Sequence, residues 1–212
     1  MKRKSLIFLS LLIMLTLSAC SFDIFKKPEY TPQPTPSDME WYTGDGMSIM
    51  LPPSYKARNV QDDLPKVIDI IKRFTGGEDG LMAGLLDNVE QNVAWWGWDS
   101  ETLEENPLRL LVIKNKALHA LPITVTAFGL ERMLDNETTQ VEQTTLRLGK
   151  RSVVRFKYIK EDVAWIAYAF KEEKHLWLSL FIFTPEGLIG AQESMEASIG
   201  TIQIDILEGD GN

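Results

Sequence analysis

The chain has 212 residues, with 22 Lys+Arg against 30 Asp+Glu, a formal net charge of −8 and a single cysteine. That length is one domain's worth of core plus flanking segments, and so acidic a surface repels phosphate backbones and anionic headgroups, which argues against nucleic acid as a partner. One cysteine allows no intrachain disulfide and no thiolate metal cluster.

Residues 1–19 set the compartment. Lys2, Arg3 and Lys4 form a positive start, Leu6 to Leu17 an apolar run, and small residues precede Cys20. This is the pattern of a secretory signal peptide cut between Ala19 and Cys20. The run is too short to cross a bilayer, which takes about 20 apolar residues. Leu17-Ser18-Ala19-Cys20 resembles the lipobox of bacterial lipoproteins. The resemblance implies that the Cys20 thiol takes a diacylglyceryl group and that its new amino terminus receives a further acyl chain such as palmitate. Two or three chains on one residue make a stable anchor where one does not. Ser21 after the cysteine is compatible with outward sorting where two membranes exist. Removing the three leading bases takes the net charge to −11. Residues 20–40 read as the lipidated cysteine and a tether: Pro28, Pro32, Pro34 and Pro36 favour polyproline II, and at about 3.1 Å per residue Ser21 to Ser37 would hold a domain up to about 50 Å from the bilayer.

The globular domain is expected over residues 41–206, with a tail at 207–212. Trp41-Tyr42-Thr43, the turn Gly44-Asp45-Gly46 and Met47 to Leu51 read as a hairpin or bent strand that Pro52-Pro53 ends. Asp62 and Asp63 cap a helix that tolerates Pro65 in its first turn, with an apolar stripe of Leu64, Val67, Ile68, Ile71 and Phe74. Leu81, Met82, Leu85, Leu86 and Val89 repeat that spacing. Asn92 to Asp99 then crowds Trp95, Trp96 and Trp98 around Gly97. In a strand Trp96 and Trp98 share one face and Trp95 takes the other. These three rings are either core filling or a binding surface able to stack on a sugar or lipid. Leu108 to Ile113 is an apolar strand, and Pro122 opens a helix whose inward stripe is expected to be Val125, Phe128, Met133 and Leu134.

From Thr139 the period changes to two. Thr139 to Leu146 makes a strand, Gly149-Lys150 turn it, and Arg151 to Ile159 return with Val154, Phe156 and Tyr158 alternating with Arg155 and Lys157, which reads as a half-covered strand. Val163 to Phe170 and Leu176 to Phe183, joined across Lys171-Glu172-Glu173-Lys174, are apolar on both faces. Strands of that kind must be covered on both sides. The expected class is therefore α+β, a three-layer α/β/α sandwich with helices on both faces of a mainly antiparallel sheet centred on this hairpin. Thr184 and Pro185 open the closing helix, Leu188, Gln192, Met195 and Ile199 form its stripe, Gly200 stops it, and Ile202, Ile204 and Ile206 are a candidate last strand.

The element order, with Met47-Ser48-Ile49-Met50-Leu51-Pro52 and the final hairpin plus helix, resembles the PsbP-like α/β/α sandwich family, which includes bacterial lipoproteins of the DcrB kind. The resemblance spans roughly Trp41 to Ile206 and carries no catalytic signature. It implies a binding or assembly module. The chemistry-bearing residues agree with that direction: His119 and His175 fit no HExxH pair, no GxSxG or glycine-rich phosphate loop is present, Ser48, Ser152 and Ser179 sit in strand patterns without a partner base, and Asp45, Asp62, Asp63, Glu78 and Asp79 do not match a calcium loop. No catalytic residue, cofactor or metal is expected. The leading reading is a non-enzymatic, lipid-anchored module facing outward from a bacterial envelope and meeting an envelope protein. The alternative is a small-ligand or sugar-binding lipoprotein that uses Trp95, Trp96 and Trp98. Cys20→Ala is expected to leave the precursor uncut and unacylated, which intact-mass measurement of the amino-terminal peptide from a membrane fraction would show. A wild-type peptide that begins at unmodified Met1 in the cytosol contradicts the anchor.

Overall fold

A computed structural model describes residues 29–30, 38–75, 88–102, 108–120, 122–126, 141–160, 163–185 and 188–205. Ala19 and Cys20, the stretch from Leu81 to Leu86, the expected stripe residues Phe128, Met133 and Leu134, and the tail lie outside them. In chain order the elements are β1 (Glu29–Tyr30), β2 (Glu40–Gly44), β3 (Met47–Leu51), β4 (Tyr55–Ala57), α1 (Leu64–Thr75), α2 (Val89–Asn92), β5 (Val93–Asp99), β6 (Arg109–Asn115), a 3-10 turn (Ala117–Ala120), β7 (Val141–Leu148), β8 (Arg151–Lys160), β9 (Val163–Glu172), β10 (His175–Phe183), α3 (Leu188–Thr201) and β11 (Gln203–Ile204). The architecture is α+β and mainly antiparallel. Eight strands form one sheet in the order β1-β7-β8-β9-β10-β6-β5-β4, and β11-β3-β2 form a second.

The β9–β10 hairpin sits in the middle of the large sheet and is buried on both faces. Trp165, Ala167 and Ala169 with Leu176, Leu178, Leu180 and Ile182 face α1, which supplies Val67, Ile70 and Ile71. Ala164, Ile166, Tyr168 and Phe170 with Trp177, Phe181 and Phe183 face the other way, onto Met195 and Ile199 of α3 and Met47, Ile49 and Leu51 of β3. Each such aliphatic side chain taken from water is worth about 2 kcal/mol. Helices alone do not clad that second face, as the sequence had implied. The β2–β3 hairpin and β11 form a small sheet laid beside α3, and β11 pairs antiparallel with β3 through Gln203↔Ser48.

A bulge joins the two sheets. The register of β5 on β6 shifts between Val93 and Trp95, so Ala94 and Trp95 both turn toward the β3 side. The Ala94 carbonyl then accepts a hydrogen bond from the Asp45 N–H at 2.8 Å. A Cβ on Gly44 would lie 2.2 Å from that oxygen. Glycine is therefore required there by close approach.

Four expectations change. Glu29 and Tyr30, placed in the extended tether, form β1, which pairs parallel with the outer edge of β7 through Glu29↔Leu146 and Tyr30↔Arg147. A sheet edge offers unpaired N–H and C=O groups, and the neighbouring chain takes them up. Val125 is exposed, because Ile123 and Thr126, three residues apart, carry the inward face of that turn. The helix α3 runs through Gly200 to Thr201, where the Thr201 hydroxyl accepts the Met50 N–H at 2.9 Å and ties the helix end to β3.

The fourth concerns β8. Its Arg155 is buried rather than solvent-facing, since α3 covers that side of the strand. The guanidinium donates to buried Glu196 at 2.6 Å and to Glu142 at 3.1 Å, while Lys157 closes on Glu142 at 2.7 Å and Gln192 donates to Glu196 at 3.0 Å. A polar residue in an alternating strand thus passes for an outward one until its partner on another element is known. Removing one member of a buried pair strands the other, at a cost of about 4 kcal/mol. Glu196→Ala is expected to lose about that much in urea unfolding, and Arg155→Met with Glu196→Leu to recover most of it. A single variant as stable as the parent would show that the pair is not held as described.

Candidate functional site

The tryptophan stretch is divided by the strand it lies on. Trp95 enters the core on the β3 side, edge-on to Tyr42 at 6.0 Å between ring centres. Trp96 enters the core beneath α1 and is 3% exposed. Trp98 stays partly exposed, with the Arg58 guanidinium 5.2 Å over its ring. The three rings do not share a surface, which corrects their reading as one binding face. Alternation along the strand separates Trp95 from the others, and helix α1 then covers Trp96.

The polar edge of Trp96 is also spoken for. Its indole N–H donates to the Asp63 carboxylate at 3.2 Å, and the same carboxylate accepts Arg58 Nε at 3.3 Å and Lys66 Nζ at 3.2 Å. Asp63 is a helix-start residue, as its position before Leu64 implied: its carbonyl accepts the Lys66 and Val67 N–H groups. What the sequence did not disclose is that its side chain reaches across to a strand 33 residues away. Burial would raise the pKa of this carboxyl, but the hydrogen bonds from Trp96, Lys66 and Arg58 and the Lys66 charge together hold it below the ordinary carboxylate range.

A wide opening in the surface lies elsewhere, around Trp41. A groove of about 880 Å³ is bordered by Trp41 and Met50, which are directly paired across β2 and β3, by Gly149 to Ser152 at the β7–β8 turn, by Lys171 and Glu172 at the end of β9, and by Gly200 to Gln203. Trp41 is 50% exposed there. It belongs to the outward face of the small sheet, whose inward face carries Met47, Ile49 and Leu51. Lys150 is exposed at the turn, where Gly149 adopts φ +60°. Arg151 forks onto Glu172 through Nε and Nη2 and lies 5.2 Å over the Phe170 ring, while Lys171 donates to the His119 carbonyl. The arrangement suits binding: an apolar anchor point with a basic border, held by a rigid strand pair and a fixed ion pair. No local pattern marks the groove, because Trp41 lies in a short strand and the β7–β8 turn that faces it comes more than a hundred residues later.

The histidines stay apart. His119 is in the 3-10 turn, and His175 opens β10 with its Nδ1 2.8 Å from the Glu173 carbonyl oxygen. Ser48 lies in the small sheet, Ser152 at the groove and Ser179 inside the large sheet. Among the described residues no group of three or more His, Cys, Asp or Glu side chains is placed to hold a metal ion, and no helix is long and apolar enough to cross a membrane.

No protein-family model matches the sequence, and no curated protein does. Among solved structures, a crystal structure from Bacteroides thetaiotaomicron VPI-5482 is similar at 11% identity with a TM-score of 0.47, covering 80% of this chain and 50% of that one. This chain therefore spans about half of that protein's length. The solution structure of cyanobacterial PsbP (CyanoP) from Synechocystis sp. PCC 6803 is similar at 11% identity with a TM-score of 0.45, covering 82% of this chain and 96% of that one.

Because the folded-state pKa of Asp63 lies below its unfolded value, its contribution to stability is fully present above the unfolded pKa and is lost as the pH falls through the folded one. Asp63→Asn is expected to lower the unfolding free energy by about 2 kcal/mol at pH 7, and the gap from the parent should close at pH values below about 4. Urea unfolding of both proteins across that range measures it. A gap that is constant with pH would mean that the carboxylate charge is not what the three donors hold.

Proposed function

We propose that this protein is a lipid-anchored, extracytoplasmic binding or assembly module without catalytic activity, which uses the Trp41 groove to hold a segment of an envelope protein. The observation that carries the reading is the half-exposed indole of Trp41 in a wide groove with a basic border. Large aromatic side chains at such openings are the usual anchors of protein contacts. Lys150, Lys171 and Arg151 face the groove against one carboxylate, Glu172, in a chain that is otherwise acidic. The complementary occupant is a chain segment that offers an apolar side chain to Trp41, Met50 and Ile202 and an acidic group to Lys150. A sugar platform at residues 95–98 would need the three rings on one surface, and Trp95 is buried on the opposite face of the sheet from Trp96.

In this reading the domain is a PsbP-like three-layer sandwich, and two-sided burial of β9 and β10 supports it. The anchor is Cys20. With Glu29 paired to β7, nine chain steps separate the cysteine from the sheet, which at about 3.1 Å each span roughly 28 Å. The domain is then held closer to the bilayer than a tether free to Ser37 would allow, with its β1 edge toward the membrane.

A photo-crosslinking residue at position 41 of the full chain is expected to trap one discrete envelope protein in membranes, while the same residue at exposed Lys56 traps none. Lys150→Glu should lower the yield about fivefold, the size of one lost charge contact. Equal capture from positions 41 and 56, or a yield indifferent to Lys150→Glu, overturns the groove as the docking face.

A further inference from the structure

A second opening, which shares no residue with the Trp41 groove, lies between α1 and the large sheet and encloses about 290 Å³. Its floor is apolar: Trp96 of β5, Trp165 of β9 and Ile182 of β10. Its rim is charged, with Lys66, Arg73 and Arg109 against one carboxylate, Asp69.

The partners of these charges are unequal. Lys66 is held by Asp63 at 3.2 Å. Arg73 meets Asp69 through Nε at 3.0 Å, which leaves its terminal amino groups for another acceptor. Arg109 has no carboxylate within ion-pair distance among the described residues, and it is partly buried. It continues the face of β6 that carries Leu111 and Ile113, both fully buried, and its cross-strand neighbours are Trp98 and Ile182. An aliphatic residue would suit that face; a guanidinium there breaks the pattern at a net cost to the fold. Burial, and after it the charge of Arg73, pull the Arg109 pKa below the ordinary guanidinium value, the electrostatic sign of a cation lacking an anion.

Two guanidinium groups at the mouth of an apolar-floored pocket match the planar geometry of an oxyanion better than any other ligand class. The volume sits at the small end of ligand pockets, which run from about 300 to 1,000 Å³. It suits a small organic acid and is too small for a nucleotide or an acyl chain. We propose that this pocket binds a small organic oxyanion, its carboxylate or phosphate seated between Arg73 and Arg109 and its apolar body against the small edges of Trp96, Trp165 and Ile182 that the fold leaves uncovered.

Intrinsic tryptophan fluorescence and calorimetry of the full chain test this with three probes: benzoate, phenyl phosphate and inorganic phosphate. At least one aryl anion should saturate with one-to-one stoichiometry, and inorganic phosphate should bind more weakly than phenyl phosphate. Arg109→Gln is expected to weaken the better aryl probe by about tenfold or more, Arg109→Lys less, and Arg73→Gln, on an exposed helix position, by a comparable factor. Without ligand, Arg109→Gln should unfold at a temperature no lower than the parent, since it removes a partly buried charge that no carboxylate among the described residues neutralises. The proposal is overturned if neither aryl anion saturates by about 10 mM, if Arg109→Gln and Arg73→Gln both bind as the parent does, or if inorganic phosphate binds as tightly as phenyl phosphate, which would leave the apolar floor without a part.

Discussion

A hairpin with no polar face is the constraint from which the rest of the molecule follows. Residues Val163–Glu172 and His175–Phe183 place tryptophan, phenylalanine, tyrosine and aliphatic side chains on both sides of the sheet, and a strand pair of that composition is stable only when both sides are taken out of water. Helix α1 answers one side through Val67, Ile70 and Ile71. The other side is too broad for α3 alone, so the chain folds its first hairpin and its last short strand into a second sheet beside the helix. The Ala94 bulge, with its carbonyl turned to Asp45, is where that second sheet is fastened to the first.

Much of this was legible in the residues, and the reasons for the exceptions are specific. The two-faced hairpin, the β2–β3 pair and the start of α1 at Leu64 are written in local patterns: alternation, a glycine turn, an aspartate and a proline. Arg155 was misread because alternation reports which residues share a face and is silent on whether that face is covered. Glu196, 41 residues further on, makes a buried arginine tolerable. The same blindness hid the bond between Asp63 and Trp96, the shift of Ala94 onto the face of Trp95, and the pairing of Glu29 with β7, each of which depends on a partner from a distant part of the chain. Val125 failed for a smaller reason: the inward spokes of its turn are Ile123 and Thr126, and a hydrophobic residue at the surface violates no rule.

The groove and the pocket both lie at seams between covers and sheet, where side chains of different elements meet without filling the space between them. The Trp41 groove opens where the small sheet, the end of α3 and the β7–β8 turn converge. The smaller pocket opens where α1 crosses β5, β6, β9 and β10. Neither was assembled by local sequence, so no motif search along the chain had a means of finding them.

The charges of the chain separate these openings from ordinary surface. Acids outnumber bases by eight, so a base has carboxylates in abundance from which to draw a partner: among the buried and half-buried ones Arg155 pairs with Glu196 and Glu142, Lys157 with Glu142, Arg151 with Glu172 and Lys114 with Asp45, and exposed Arg58, Lys66 and Arg73 pair with Asp63 and Asp69. Against that background Arg109 stands out by having no carboxylate partner among the described residues while sitting half-buried beside a second arginine. A scarcity of acids cannot explain it. Strand pairing with β5 and β10 holds its backbone, so its side chain lines the mouth of the pocket whether or not an anion is there. The fold keeps that cation where a diffusing oxyanion can reach it and where the aromatic floor can hold what the oxyanion is attached to.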